Sequence, residues 1–246
     1  STLFPYTTLF RSNPLSQLTR AVARETSIQV VGLCHNYAGT ISMLADYLDV
    51  TYADIDAVSV GVNHFTWLKQ ITCRGKPIEQ QLSLERYVEY FLRKKEDVQT
   101  DTTDDMIKEA LDLKQNMEYY FNFDLYHKHG YFPVGSSNHV AENLPYYCND
   151  PDVMKKYYIR RKGVLPRRQI LVEERKRQIM QEMTGKRPFE KRKASNELLA
   201  GICEALYTGC PFRAIVTMPN RGQIDNLPRD VAVETWAVVT GNDIRP

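Results

Sequence analysis

The sequence lacks the short motifs by which nucleotide and metal chemistry are usually recognised. No G-x-G-x-x-G, no G-x-x-x-x-G-K-S/T, no H-E-x-x-H and no C-x-x-C occurs in its 246 residues. The first two absences leave no glycine cradle for a nucleotide phosphate. The other two leave no helical zinc-protease pair and no redox dithiol. Charge of one sign is not in excess: 32 Lys and Arg face 30 Asp and Glu, so chain-wide binding to nucleic acid has no support. No apolar run approaches the roughly 18 residues that a membrane span needs. The cysteines number five, an odd count at irregular spacing. That pattern argues against a secreted disulfide framework and for a reducing, cytoplasmic compartment.

With 43% of its residues apolar, the chain can still bury a sizeable core in one large domain or two small ones. Residues 2–12, TLFPYTTLFRS, resemble the translation of a sequencing-adaptor oligonucleotide. They have neither helical period nor clean alternation, so residues 1–12 are set aside as a non-native scar. Asn13-Pro14 then reads as a helix start, with Leu15, Leu18 and Val22 at helical spacing. Ile28 to Leu33 reads as a short buried strand. Ile41, Leu44, Ala45 and Leu48 mark a helix, and residues 56–74 read as extended structure that a hairpin would accommodate. Helical stripes follow at Leu84 to Leu92 and at Met106 to Phe121. A Gly-Pro-Ser loop runs from Gly130 to Pro145. Leu198 to Leu206 reads as a helix, and Arg213 to Met218 and Asp230 to Val239 as strands. Interleaved helices and strands predict an α/β or α+β domain with a mixed sheet.

Residues 155–193 hold fifteen Lys and Arg against four Asp and Glu. The simplest reading is a solvated helical face or linker; the other is an interaction surface. Aromatic residues do not interleave through its most basic part, which weakens a single-strand-binding reading. Neither nucleic acid nor membrane is expected as a partner.

Three places can carry chemistry: Cys34-His35, Asn63-His64, and the loop from Gly130 to Asn143 with His139. Cys34 and His64 both follow stretches read as strands, where ligands gather in open α/β sheets. A thiolate and an imidazole together suit a divalent transition metal and leave coordination positions open for substrate. The alternative is a buried structural Cys and a His satisfied within the core.

Several strings resemble the NAD-dependent glycoside hydrolases of family 4. They are Asn13-Pro14-Leu15, Val31-Gly32-Leu33-Cys34-His35 and Gly61-Val62-Asn63-His64-Phe65-Thr66-Trp67. With them go Gly130-Tyr131-Phe132 followed by Ser136-Ser137-Asn138-His139-Val140-Ala141-Glu142, and Pro219-Asn220-Arg221-Gly222 with Asn226-Leu227-Pro228 and Val233-Glu234. The five matches are collinear from Asn13 to Glu234, which makes the ordered set specific.

The resemblance implies the C-terminal catalytic domain of a lactate/malate-dehydrogenase-like fold. Residues 13–33 would be the remnant of a junction with a nucleotide-binding domain, and 34–246 the catalytic domain, incomplete at its C-terminus. The chain is then expected to be a piece of a longer protein. On that expectation Leu15, Leu18 and Val22 are half uncovered.

The implied reaction is cleavage of an unphosphorylated α-glycoside by oxidation, elimination, addition and reduction, with NAD and Mn2+ or another divalent metal. It is an exception to the two-carboxylate scheme. Cys34 and His64 take the family's metal-ligand positions. Tyr131 and Asp124 compete as the base, and Asn13, His35, Asn63 and His139 would contact the sugar or position the nicotinamide. His35 after the Cys points away from phosphorylated sugars. The full-length protein is expected to be a homo-oligomer. Two other classes stay open: a 2-hydroxy-acid dehydrogenase of the lactate/malate type, whose chemistry needs no metal, and a non-enzymatic interaction domain using residues 155–193.

Overall fold

The computed structural model describes residues 7–10, 14–96, 117–159, 164–189, 198–241 and 243–246. Two sheets organise them. The larger has the order β1-β2-β7-β8-β9, built from β1 (Thr7–Phe10), β2 (Gln29–Gly32), β7 (Phe212–Pro219), β8 (Ala232–Thr240) and β9 (Asp243–Arg245). The smaller contains β3 (Ile55–Val62), β4 (Phe65–Cys73) and β5 (Lys76–Pro77), with β6 (Phe132–Pro133) also paired to β4. Only β1 and β2 pair in parallel; the remaining pairs are antiparallel. The expected mixed α/β domain is what the chain forms.

Helix α1 (Leu15–Glu25) follows Pro14 and turns Leu15 and Thr19 inward. Leu15 is buried, while Leu18 and Val22 are half-buried, so the expected uncovering holds for two of the three. The segment set aside as a scar carries the edge strand β1. Thr, Thr, Leu and Phe all favour extended backbone, and β2 offers an edge with free backbone groups. Alternation is a weak criterion for so short a strand.

Helix α2 (Asn36–Tyr47) buries Tyr37, Ile41, Leu44 and Ala45. It shares a core with the β3–β4 hairpin, α3 (Leu84–Glu96) and α4 (Tyr120–His129), where Phe123 and Phe132 are fully buried. A second core lies between the large sheet and α9 (Leu199–Thr208), around Val31, Ile202, Val216 and Val239. A third gathers Phe121 and Leu125 of α4 with α5 (Ser137–Ala141) and α7 (Pro151–Lys156), reached through α6 (Pro145–Cys148). The loop expected from Gly130 to Pro145 thus contains β6 and α5.

Helix α8 (Val164–Met183) covers much of the basic span. Its Lys176 and Arg177 pair with Glu173 and Glu174 one turn back, which suits a solvated face. Most of the stripe expected from Met106 lies outside the described residues. Among the described residues no helix is long and apolar enough to cross a membrane.

The two sheets meet through β8. Trp236 Nε1 donates to the Ala57 carbonyl at 2.8 Å, and the Arg213 guanidinium stacks 3.8 Å from the Trp236 ring while pairing with Asp56. Two residues back on the same face, Glu234 reaches the tip of the hairpin.

The hairpin closes on Gly61, whose φ is +151°. A Cβ there would stand 2.4 Å from the Phe65 carbonyl oxygen and 2.7 Å from Thr66 Cα, both backbone atoms that cannot swing away. Gly39, inside α2, has nothing within 4 Å of its Cβ position. Gly61→Ala is therefore expected to destabilise the chain by about 2 kcal/mol or more. Gly39→Ala is expected to stabilise it by about 0.5–1 kcal/mol through helix propensity. Urea melts of the two variants read the opposite signs.

Candidate functional site

Cys34 lies two residues beyond β2, just ahead of α2. The backbone N–H groups of Asn36 and His35 at that helix start and the Asn63 side chain stand near its sulfur and favour the thiolate. Burial pushes the Cys34 thiol up, and the nearby Glu234 charge adds to the rise; the three donors pull it back.

Asn63 and His64 form the turn between β3 and β4. His64 sits at φ +68°, the left-handed region that a residue with a β-carbon enters at a cost. Two contacts hold it there. Asn143 Nδ2 donates to the His64 carbonyl at 3.0 Å and to that of His139 at 3.1 Å, and the Asn63 side chain is tied down at Glu234.

Glu234 is 2% exposed and is the one charged residue of β8. Its Oε2 accepts from Asn63 Nδ2 at 2.7 Å and from Thr217 Oγ1 at 3.2 Å, and its Oε1 accepts from Thr66 Oγ1 at 3.2 Å. Burial pushes its carboxyl up, while these donors and the nearby His64 oppose the rise. Among the described residues no Lys or Arg forms an ion pair with it.

His64 opens onto a cleft of about 690 Å³. Pro14 to Gln17 and Arg20 of the α1 segment form one wall; Asn63, His64, His139, Glu142 and Asn143 line another. The His64 and His139 rings stand 5.2 Å apart. His139 reaches this position because the preceding loop is pinned from inside. Buried Asn122 donates to the carbonyls of Pro133 and Gly135, and Thr40 Oγ1 accepts from the Gly135 N–H.

The expected site residues thus fall into separate places. Asn63, His64 and His139 share the cleft. Cys34 and His35 line a smaller cavity of about 230 Å³ with Tyr37, Arg213 and Trp236, and Cys34 is linked to the cleft through Asn63. Tyr131 is elsewhere. Phe132 on β6 is buried, while Tyr131 just ahead of the strand is 49% exposed and lines an apolar cavity with Trp67 and Tyr147. Asp124 is not in the cleft either; it pairs with Lys128 one turn on at 2.6 Å. Asn13 lies outside the described residues.

Sequence reasoning gave Glu234 no role, although it stands in a string that matched the family pattern. The signal was available: one carboxylate inside AVETWAVV, a strand pattern with no polar face to put it on.

Among the described residues no group of three or more His, Cys, Asp or Glu is gathered to hold a metal. The candidate ligands are the pair Cys34 and His64. One sulfur and one imidazole are a donor pair that suits a divalent transition metal.

Residues 59–246 match the model for the family 4 glycosyl hydrolase C-terminal domain. Among curated relatives, an α-galactosidase of Bacillus subtilis (strain 168) is 27% identical over 237 residues, covering 96% of this chain and 49% of that protein. An α-galacturonidase of the same strain is 29% identical over 247 residues, covering 96% of this chain and 52% of that one. The chain spans about half the length of the curated relatives it matches. The solved structure of lplD from Bacillus subtilis, described as a glucosidase, superposes with a TM-score of 0.73 at 26% identity, covering 98% of this chain and 54% of that one.

The geometry at Cys34 has a direct chemical consequence. A thiol raised by burial carries less thiolate at neutral pH and is half hidden, so it reacts slowly. With iodoacetamide near neutral pH, peptide mass spectrometry should find Cys34 alkylated several-fold more slowly than exposed Cys210. Equal rates would contradict the buried placement.

Proposed function

The chain belongs to the family 4 glycosyl hydrolases, and from that premise we propose that it is the part of an α-glycosidase that holds the metal and the sugar. The supporting observation is the Asn63-His64 turn, which faces the cleft and sets the Asn63 side chain near the Cys34 thiol. The proposed reaction cleaves an unphosphorylated α-glycoside by oxidation, elimination, addition and reduction.

Cys34 and His64 would hold a divalent metal such as Mn2+, which when bound supplies Lewis acidity toward the oxygens on C2 and C3 of the sugar. His139, beside His64, would hold a sugar hydroxyl. Tyr131 and Asp124 do not line this cleft, so no proton step is assigned to them. The oxidation and reduction call for a nicotinamide cofactor. The residues present do not fit one: the sequence holds no glycine fingerprint, and no hydride step is derived from them. We assign that half of the chemistry to the portion of its relatives' length that this chain does not span, with residues 13–33 as the junction. Two observations favour an unphosphorylated sugar: His35 follows Cys34, and the curated relatives cleave α-galactosides and α-galacturonides by name.

The test compares residues 1–246 with the same chain extended upstream through a nucleotide-binding domain. The chain alone is expected to release no nitrophenol from nitrophenyl α-galactoside or α-galacturonide. The extended protein should do so only with both NAD+ and Mn2+, and its product should carry solvent deuterium at C2 when the reaction runs in D2O. Cleavage without NAD+, product lacking deuterium at C2, or activity confined to 6-phosphosugars would overturn the reading.

A further inference from the structure

We propose that Glu234 is the positioning residue for the Cys34 and His64 pair, acting through the side chain of Asn63. The proposal rests on reading Cys34 and His64 as metal ligands, and its test separates the two.

Three features meet at Asn63. Its amide donates to Glu234 Oε2 at 2.7 Å, and the same side chain stands near the Cys34 thiol and favours its thiolate. Its backbone is the turn that presents His64, whose left-handed φ needs an anchor on each side. Asn143 supplies one anchor through the His64 carbonyl. Glu234 supplies the other, and it is itself immobile: buried, and held by hydroxyls from two further strands. One carboxylate therefore anchors the amide that both carries the His64 turn and neighbours the Cys34 sulfur, although the two residues stand thirty positions apart, each just past a strand of a different sheet. Ligands held by hydrogen-bonded neighbours lose less freedom on metal binding, and loss of such neighbours typically lowers metal affinity about 10–100-fold.

The arrangement also separates Asn63 from the role its family position suggests. An amide committed to Glu234 and set near Cys34 has little donor capacity left for a sugar hydroxyl.

Glu234→Gln is a clean probe because the fold can accept it. The Gln oxygen can take the Oε2 position and accept from Asn63 and Thr217. Its NH2 can donate to Thr66 Oγ1, whose own hydrogen can turn to the Val62 carbonyl 3.1 Å away. What is lost is the charge that makes the Asn63 tether strong.

The experiment titrates Co2+ into residues 1–246 and reads the near-ultraviolet sulfur-to-cobalt charge-transfer band, with thermal melts run in parallel. The variants are Cys34→Ser, Cys203→Ser, Glu234→Gln, Asn63→Ala and the Glu234→Gln/Asn63→Ala double. Cys34→Ser should abolish the band and Cys203→Ser should leave it. Glu234→Gln and Asn63→Ala should each weaken Co2+ binding about tenfold or more and shift the band. The double should be no weaker than the worse single, because both act on one tether.

Wild-type affinity and an unshifted band in Glu234→Gln would overturn the proposal while leaving the ligand pair intact. Effects that multiply in the double would overturn it too. A wild-type chain with no Cys34-dependent band would overturn the pair and the proposal together. Should Glu234→Gln not fold, Thr217→Val loosens the same carboxylate without touching the turn. It should weaken Co2+ binding about threefold, and unchanged binding there would count against the proposal.

Discussion

A single carboxylate with no ion-pair partner among the described residues sets the terms for the rest of the structure. Burying an unpaired charge costs several kcal/mol unless hydrogen bonds replace the lost water. At Glu234 the replacements come from three places: Asn63 in the β3–β4 turn, Thr66 on β4 and Thr217 on β7. No one of these segments satisfies it alone. The two sheets must therefore be assembled, and assembled in one register, before the carboxylate is satisfied. A slip of one residue along β8 would carry Glu234 to the other face and leave three donors facing apolar side chains. The observed pairing sets Thr217 opposite both Glu234 and Gly32, so the same residue ties β2 to this arrangement.

The constraint spreads two residues along the strand. Trp236 shares the Glu234 face and bonds the Ala57 carbonyl on β3, while its ring carries Arg213, itself paired with Asp56. One stretch of β8 thus presents a carboxylate to the tip of the hairpin and an indole to its base. The hairpin cannot rock relative to the large sheet without breaking one or the other. That rigidity explains how a turn with His64 at positive φ persists. Backbone strain of this kind costs about 1–3 kcal/mol and survives only where the surroundings over-determine it. The Asn63 tether and the Asn143 contact do so here.

Much of the fold was legible in the sequence because its elements carry strong local signals. The hairpin, α2, α3, α9, β7 and β8 all fall where hydrophobic period and turn residues put them. The misses have physical reasons. The edge strand at Thr7–Phe10 gains its stability from a neighbour's free edge, which no pattern within four residues announces. The helix at Ser137–Ala141 is too short to show a period, and it is fixed from outside by Asn122 and Thr40.

The site was less legible, and the reason lies in the kind of information a site contains. Cys34, Asn63, His64 and His139 could be picked out one by one, by residue type, by position after strands or in a loop, and by resemblance. Their division between a cleft and a smaller neighbouring cavity could not, because it depends on how two sheets pack. Tyr131 and Asp124 show the converse. Each is the right residue type near the right string, yet Tyr131 stands in an apolar cavity away from the cleft and a helical ion pair occupies Asp124. Glu234 and His64 break local rules outright, a buried carboxylate in a strand and a β-carbon at positive φ. Local rules describe what stabilises an isolated element. A residue that violates them persists because the assembled fold holds it there, and such residues cluster where function sets the geometry. Here Glu234 and His64 are joined through a single amide, Asn63, between the β8 carboxylate and the imidazole-bearing turn.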